Sequence, residues 1–137
     1  MSRVPRTDTK PEIALRRALW RRGLRGWRLD VASLPGRPDV CFARAKLAVF
    51  VDGAFWHGHP SKFHAGVAGP YWDEKIWGNR LRDRRTNREL RRLGWHVVRV
   101  WDFEVAKDAV GVADRVALLY DARVDEVAGD LVRDGVR

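Results

Sequence analysis

Pro38-Asp39-Val40-Cys41-Phe42-Ala43-Arg44-Ala45-Lys46-Leu47-Ala48-Val49-Phe50-Val51-Asp52 is the stretch whose reading decides the fold. Two apolar, β-branched runs, 39–42 and 47–52, flank four residues able to turn the chain back, so the segment predicts an antiparallel hairpin. Paired positions in such a hairpin have a constant sum. With the turn centred near residue 45, Asp39 falls opposite Val51 and beside Asp52. Two carboxylates then meet at the open end of one hairpin, which is how a magnesium site is built from few ligands.

The next residues sharpen that reading. Gly53-Ala54-Phe55-Trp56-His57-Gly58-His59-Pro60 places two adjacent aromatics and two histidines directly after Asp52. A carboxylate-bound Mg²⁺ polarises a scissile phosphate and stabilises the leaving oxygen, while a neutral imidazole takes a proton from attacking water. His57 is the best-placed residue for that base. The bland reading stands beside it: Pro-Asp pairs are common, Asp52 can cap a turn, and most lone histidines are structural.

Outward from the hairpin, the chain reads as short alternating elements. Thr9-Lys10-Pro11-Glu12 has the form of a capping box, with Thr9 as N-cap. Ile13, Leu15, Ala18 and Leu19 continue as a helix that ends near Gly23, with Arg16, Arg17, Arg21 and Arg22 outward. Residues 60–70 read as a loop. From Tyr71 to Leu93 a long helix follows, ended by Gly94. Its seam, Trp72, Ile76, Asn79, Asp83, Thr86, Leu90 and Leu93, has apolar ends and a polar middle; that middle is either a set of hydrogen-bonded core polars or a view into a site. His96 to Trp101 reads as a third strand beside the hairpin. Val112, Val116, Leu119, Val127 and Leu131 recur at near-helical spacing, so the tail is expected to cover the sheet.

Length and charge bound the function. A chain of 137 residues makes one domain, 1–137, with a basic part at about 7–103 and an acidic helical tail at about 104–137. Residues 1–101 hold 22 Lys and Arg against 9 Asp and Glu, whereas 102–137 hold 5 against 9. A pI near 10.7 with the basic residues segregated in this way is the footprint of a polyanion binder. Arginines 80, 82, 84, 85, 88, 91 and 92 line the long helix and read as phosphate contacts. The acidic tail is expected to face away from nucleic acid. No apolar run of membrane-spanning length and no signal peptide is read, and the single cysteine, Cys41, excludes an internal disulfide, so a cytoplasmic, nucleoid-associated protein is expected.

Several motifs, taken together, resemble the very-short-patch-repair (Vsr) mismatch endonucleases. They are Ala32-Ser33-Leu34-Pro35-Gly36-Arg37-Pro38-Asp39, Gly53-Ala54-Phe55-Trp56-His57, Tyr71-Trp72-Asp73-Glu74-Lys75-Ile76 with Asn79 and Arg82-Asp83-Arg84-Arg85, then Leu93-Gly94-Trp95 and Val100-Trp101. The match runs in order over roughly residues 7–103. It implies an α/β, restriction-endonuclease-like fold of the PD-(D/E)xK type, a central mixed β-sheet flanked by helices, and a Mg²⁺-dependent nick of one DNA strand 5′ to the thymine of a T:G mismatch. By that resemblance Asp39 is the principal metal ligand, Val51 offers its main-chain carbonyl, His57 is the catalytic histidine and Glu12 supports it from the first helix. Phe55, Trp56 and Trp72 match aromatics that wedge into the duplex, and Lys75 and Asn79 match residues that hold the mismatched pair. Arg80, Arg84, Arg85 and Arg88 complete the expected DNA contacts.

Three departures are visible. Asp52 stands where the family's best-known form has a second histidine, leaving it either to bind metal or to orient His57. That form also carries a structural zinc, but the matching positions here are Ala54, His59, Ser61 and Phe103, so no structural zinc is expected. The arm before Thr7 is short. Two other functions compete with mismatch nicking: a nuclease of the same fold that cuts a specific, modified or branched DNA, and a non-catalytic DNA-binding module. A monomer suits a one-strand nick, and a mismatch-repair helper protein is left open.

Overall fold

The computed structural model describes residues 9–133; the arm before Thr7 and the last four residues of the tail lie outside them. Helix α1 (Lys10–Arg21) begins as the capping box requires. The Thr9 hydroxyl accepts the Glu12 N–H at 3.4 Å, and the Glu12 carboxylate accepts the Thr9 N–H at 3.3 Å. Leu15, Ala18 and Leu19 are buried, and the helix stops just before Gly23.

The hairpin forms from β2 (Val40–Phe42) and β3 (Leu47–Asp52), preceded by a two-residue edge strand, β1 (Arg28–Leu29), that the sequence did not announce. Its register differs by one residue from the expected one. Val40 pairs with Val49 and Phe42 with Leu47, which places Asp39 level with Phe50 rather than Val51. The cause is the four-residue turn 43–46, closed by Lys46 N–H on the Ala43 carbonyl at 3.2 Å with Lys46 in a left-handed conformation, φ 45°. The open end still brings the carboxylates together, because the Val51 N–H reaches the Asp39 side chain.

Helix α2 (Pro70–Arg92) and strand β4 (His96–Trp101) follow, and α3 (Asp102–Arg133) closes the chain. Strand β4 pairs parallel with β3, giving a four-stranded mixed sheet ordered β1-β2-β3-β4. A parallel pair needs a long crossover, and the 53–69 loop with α2 supplies it. Helix α3 starts directly after β4, earlier than its apolar spacing suggests, and kinks at Asp108 (φ −153°, ψ 73°), whose carboxylate accepts the Gly111 N–H at 3.0 Å and caps the second segment.

Strand alternation sorts the sheet into two faces. Val40, Phe42, Leu47, Val49 and Val100 pack against Leu15 and Leu19 of α1 and Val105, Val112 and Val116 of α3. Ala48 and Phe50 face the other way onto Leu90 of α2. The result is an α/β three-layer domain of restriction-endonuclease-like type, with the acidic α3 on the face opposite α2. Asp52 follows Phe50 in phase and so ends on the α2 side, where the candidate chemistry collects.

Candidate active site

A cavity of about 510 Å³ opens where α1 starts, β3 ends and the middle of α2 passes. Glu12, Asp39, Val51, Asp52, His57, Asp83 and Arg99 line it, with Arg37, Arg82 and Thr86 at its walls. Gly36, at φ +75°, lies so close to the Thr86 side chain that any Cβ there would collide with it, so the Pro35-Gly36-Arg37 turn can form this wall only with glycine.

One end of the cavity is a carboxylate pair. The Val51 N–H donates to Asp39 at 2.6 Å. Burial nonetheless pushes the Asp39 carboxyl up to about 7; the Val51 bond opposes this, while Glu12 and Asp52 reinforce it by charge, and Glu12 also by a hydrogen bond. Glu12 is itself buried, 8% exposed. A buried carboxyl raised toward neutrality beside a second buried acid is a donor set for a hard divalent cation, since the ion replaces the proton and offsets the repulsion.

The other end is a histidine held between two carboxylates. Three contacts fix the 53–63 loop: His57 N–H on the Gly53 carbonyl at 3.0 Å, His59 N–H on the Ala54 carbonyl at 2.7 Å, and Ala54 N–H on the Asp102 carboxylate at 3.3 Å. This winding presents His57 to α2, where its Nδ1 bonds the Asp83 carboxylate. Its Nε2 lies 3.8 Å from Asp52. Burial pulls the imidazole down, but the Asp83 hydrogen bond and the Asp52 and Asp83 charges together hold it above its ordinary value. Asp52, 6% exposed, is raised by burial against the opposing pull of Arg99 and His57. Asp52, His57 and Asp83 offer donor atoms within 4.8 Å of one another, the one such group among the described residues.

Beside the cavity the aromatics form a cluster. Phe55, Trp56 and Trp72 meet with ring centres 5.4 to 5.5 Å apart, and Tyr71 adds an edge on Trp72 at 5.2 Å. Phe55 and Trp72 are half-buried; Trp56 is 38% exposed and Tyr71 67%.

Comparison with known proteins places this arrangement. The family model for the DNA mismatch endonuclease Vsr matches residues 1–62. The type II nicking enzyme V.NmeDIP of Neisseria meningitidis serogroup C is 41% identical over 111 residues, covering 79% of this chain and 74% of that protein. V.NaeI, a type II nicking enzyme of Lentzea aerocolonigenes, is 42% identical over 111 residues, 77% of this chain and 66% of its own length. The DNA mismatch endonuclease Vsr of Escherichia coli strain K12 is 38% identical over 104 residues, 74% of this chain and 66% of that protein. The chain belongs to the Vsr family. It is an endodeoxyribonuclease, acting on DNA, and no helix among the described residues is long and apolar enough to cross a membrane.

In this Vsr-family chain the residues expected to touch DNA divide into two groups. Lys75, Arg84, Arg85 and Arg88 are exposed along α2. Asn79 and Arg80 are half-buried and engaged with the 53–63 loop: Asn79 donates to the Trp56 carbonyl at 2.9 Å, and the Arg80 guanidinium bonds the Gly58 carbonyl. They therefore support the backbone under the aromatic cluster. The four positions matching the zinc ligands of the family's best-known form do converge, but as an aromatic knot. His59 lies edge-on to Trp101 at 4.7 Å and to Phe103 at 4.9 Å, and its Nδ1 bonds the Ser61 hydroxyl at 2.8 Å. A tetrahedral zinc needs four N, S or carboxylate ligands. This knot supplies one imidazole, and the nearby Asp102 is committed to the N–H groups of Ala54 and Phe103, so the donor set does not fit zinc.

Two residues lining the cavity were given no role by the sequence. Asp83 was legible as part of a polar helix middle that could view a site, and within the Arg82-Asp83-Arg84-Arg85 motif. Arg99 gave no signal; it is the one charged residue within β4 and sits beside Phe50 in the parallel register.

Proposed function

We propose that this enzyme nicks one strand of duplex DNA 5′ to the thymine of a T:G mismatch, with Mg²⁺, leaving a 5′-phosphate and a 3′-hydroxyl. The observation that carries the reading is the pairing of a carboxylate-held histidine with the buried acids Glu12 and Asp39 in one cavity, beside an aromatic cluster. Asp39, with the Val51 carbonyl and Glu12 beside it, holds the cation. When bound, Mg²⁺ polarises the scissile phosphate and stabilises the leaving oxygen.

The chain's own groups supply the rest. Asp83 takes the Nδ1–H of His57 and fixes the tautomer, which leaves the Nε2 lone pair to accept a proton from water. The negative Asp52, 3.8 Å from Nε2, stabilises the imidazolium that results. Trp56 and the rings behind it enter the stack where unpairing costs least, which is at a mismatch. Lys75 and the exposed arginines of α2 hold phosphates. A monomer suffices for a cut in one strand, and the names of the Neisseria and Lentzea relatives, nicking enzymes, favour one-strand over two-strand cutting. Strand-labelled T:G and T:A duplexes incubated with Mg²⁺ or EDTA test the proposal: only the thymine strand of the mismatched duplex is cut, and only with Mg²⁺. Equal cutting of both duplexes, or full activity in EDTA, would overturn it.

A further inference from the structure

Arg99 is placed where a second cation would go. Its Nη1 donates to both Asp52 oxygens, at 2.9 and 3.1 Å, and lies 3.7 Å from the Asp83 carboxylate. Its Nε donates to the Asn87 side chain at 2.8 Å, and the guanidinium lies over the Phe50 ring at 4.1 Å. The side chain is 19% exposed. A guanidinium is always charged, weakly hydrated and suited to stacking, so three partners and a ring fix a permanent positive charge at this point.

We propose that Arg99 is a positioning residue that converts Asp52, His57 and Asp83 from a metal-ligand set into a proton-transfer set, confining the divalent ion to the Glu12–Asp39 end of the cavity. The inference rests on the reading of Asp39 as a metal ligand and adds to it that Asp52 is not one. By donor type and spacing the three side chains suit a metal, but an ion among them would sit within a few ångströms of Nη1, which already occupies both Asp52 oxygens. Arg99 does in place of a cation what Asp52 and Asp83 require, offsetting their mutual repulsion. It leaves His57 free of a metal, with Nδ1 on Asp83 and Nε2 open to water. The stacking on Phe50 and the bond to Asn87 keep the fork from swinging into the cavity when a phosphate arrives.

Mn²⁺ binding to the DNA-free full chain, followed by electron paramagnetic resonance, separates this from a purely structural arginine. Wild type should bind one Mn²⁺ per chain. Asp39→Asn should weaken it at least tenfold, and Asp52→Asn should change it less than twofold. Arg99→Gln should bind a second Mn²⁺, which Asp52→Asn in the same chain removes, whereas Arg99→Lys should keep one. A folded Arg99→Gln with a single site would overturn the proposal, as would an Asp52→Asn loss as large as that of Asp39→Asn. If Arg99→Gln fails to fold by circular dichroism, the Asp39→Asn and Asp52→Asn comparison decides alone. Wild type that binds no Mn²⁺ would instead defeat the metal reading of Asp39.

Discussion

Asp39→Asn should make the metal-free protein more stable while abolishing its activity, and the size of the gain follows from the site. The carboxyl that titrates at 3.8 in an unfolded chain titrates at about 7 in the fold, chiefly through burial. Between those values the folded chain holds a proton that the unfolded chain has released. The stability contributed by this group is therefore complete below about pH 4, falls as pH rises toward 7, and is lost above it. At 1.36 kcal/mol per pH unit the penalty at pH 8 is about 4 kcal/mol. Asparagine carries no charge to bury and keeps an oxygen for the Val51 N–H, although it is a weaker acceptor and returns about 1 kcal/mol. The remaining ~3 kcal/mol corresponds to a rise in Tm of roughly 10 °C for a domain of this size. Thermal melts of wild type and variant in EDTA at pH 8 and pH 4 would measure it. The gain should be present at pH 8 and absent at pH 4, and added Mg²⁺ should raise the Tm of wild type alone. A variant no more stable than wild type at pH 8 would refute the strained acid pair.

Other outcomes follow from the same geometry. His57→Ala should lower the single-turnover rate by about 10² to 10⁴, the range of a lost general base. Because Asp83 helps to hold His57 above its ordinary value, the wild-type rate should climb with pH through that raised value. Asp83→Asn should move the rising limb to lower pH, and an unmoved limb in a pH–rate profile would count against the pairing. If the exposed arginines of α2 and their neighbours neutralise about 6 to 10 phosphates, affinity measured by fluorescence anisotropy should fall by about 10³ to 10⁵ between 50 and 200 mM salt; a nearly flat dependence would contradict this. Elemental analysis of protein purified without added metal should find no stoichiometric zinc, and one zinc per chain would show that the His59 knot had been misread.

How far the sequence carried these conclusions depended on local signal. Leu47–Asp52 and His96–Trp101 were legible at their observed limits because each is an unbroken β-rich run, and the Thr9 box fixed the start of α1. The hairpin register was not, because Ala43-Arg44-Ala45-Lys46 contains no Gly, Asn or Pro to name its turn, and Lys46 adopts a left-handed conformation that nothing nearby announces. Strand β1 is two exposed residues defined only by their partners in β2. In the site, Asp39, Asp52 and His57 were legible from spacing and chemistry, with Glu12 added by resemblance. Asn79 and Arg80 read as DNA contacts; that each also bonds a carbonyl of the neighbouring loop was not legible, since a sequence does not show which loop packs on a helix. Arg99 is the clearest gap. Its meaning exists only once β4 is known to run parallel to β3 with Arg99 beside Phe50, which puts the guanidinium on the same face as Asp52.

The most direct test of the central claim is single-turnover cleavage, in Mg²⁺, of two duplexes that differ only in one T:G against one T:A pair, with each strand separately labelled, for wild type and Trp56→Ala. A mismatched pair costs less to unstack, and aromatic stacking worth about 1 to 3 kcal/mol per base makes that difference count. Wild type should cut the thymine strand of the T:G duplex, leaving a 5′-phosphate, and the T:A duplex far more slowly; Trp56→Ala should lose more of this preference than of its affinity. Equal rates on the two duplexes, or both strands cut together, would contradict mismatch nicking and favour a nuclease of the same fold that reads another DNA feature.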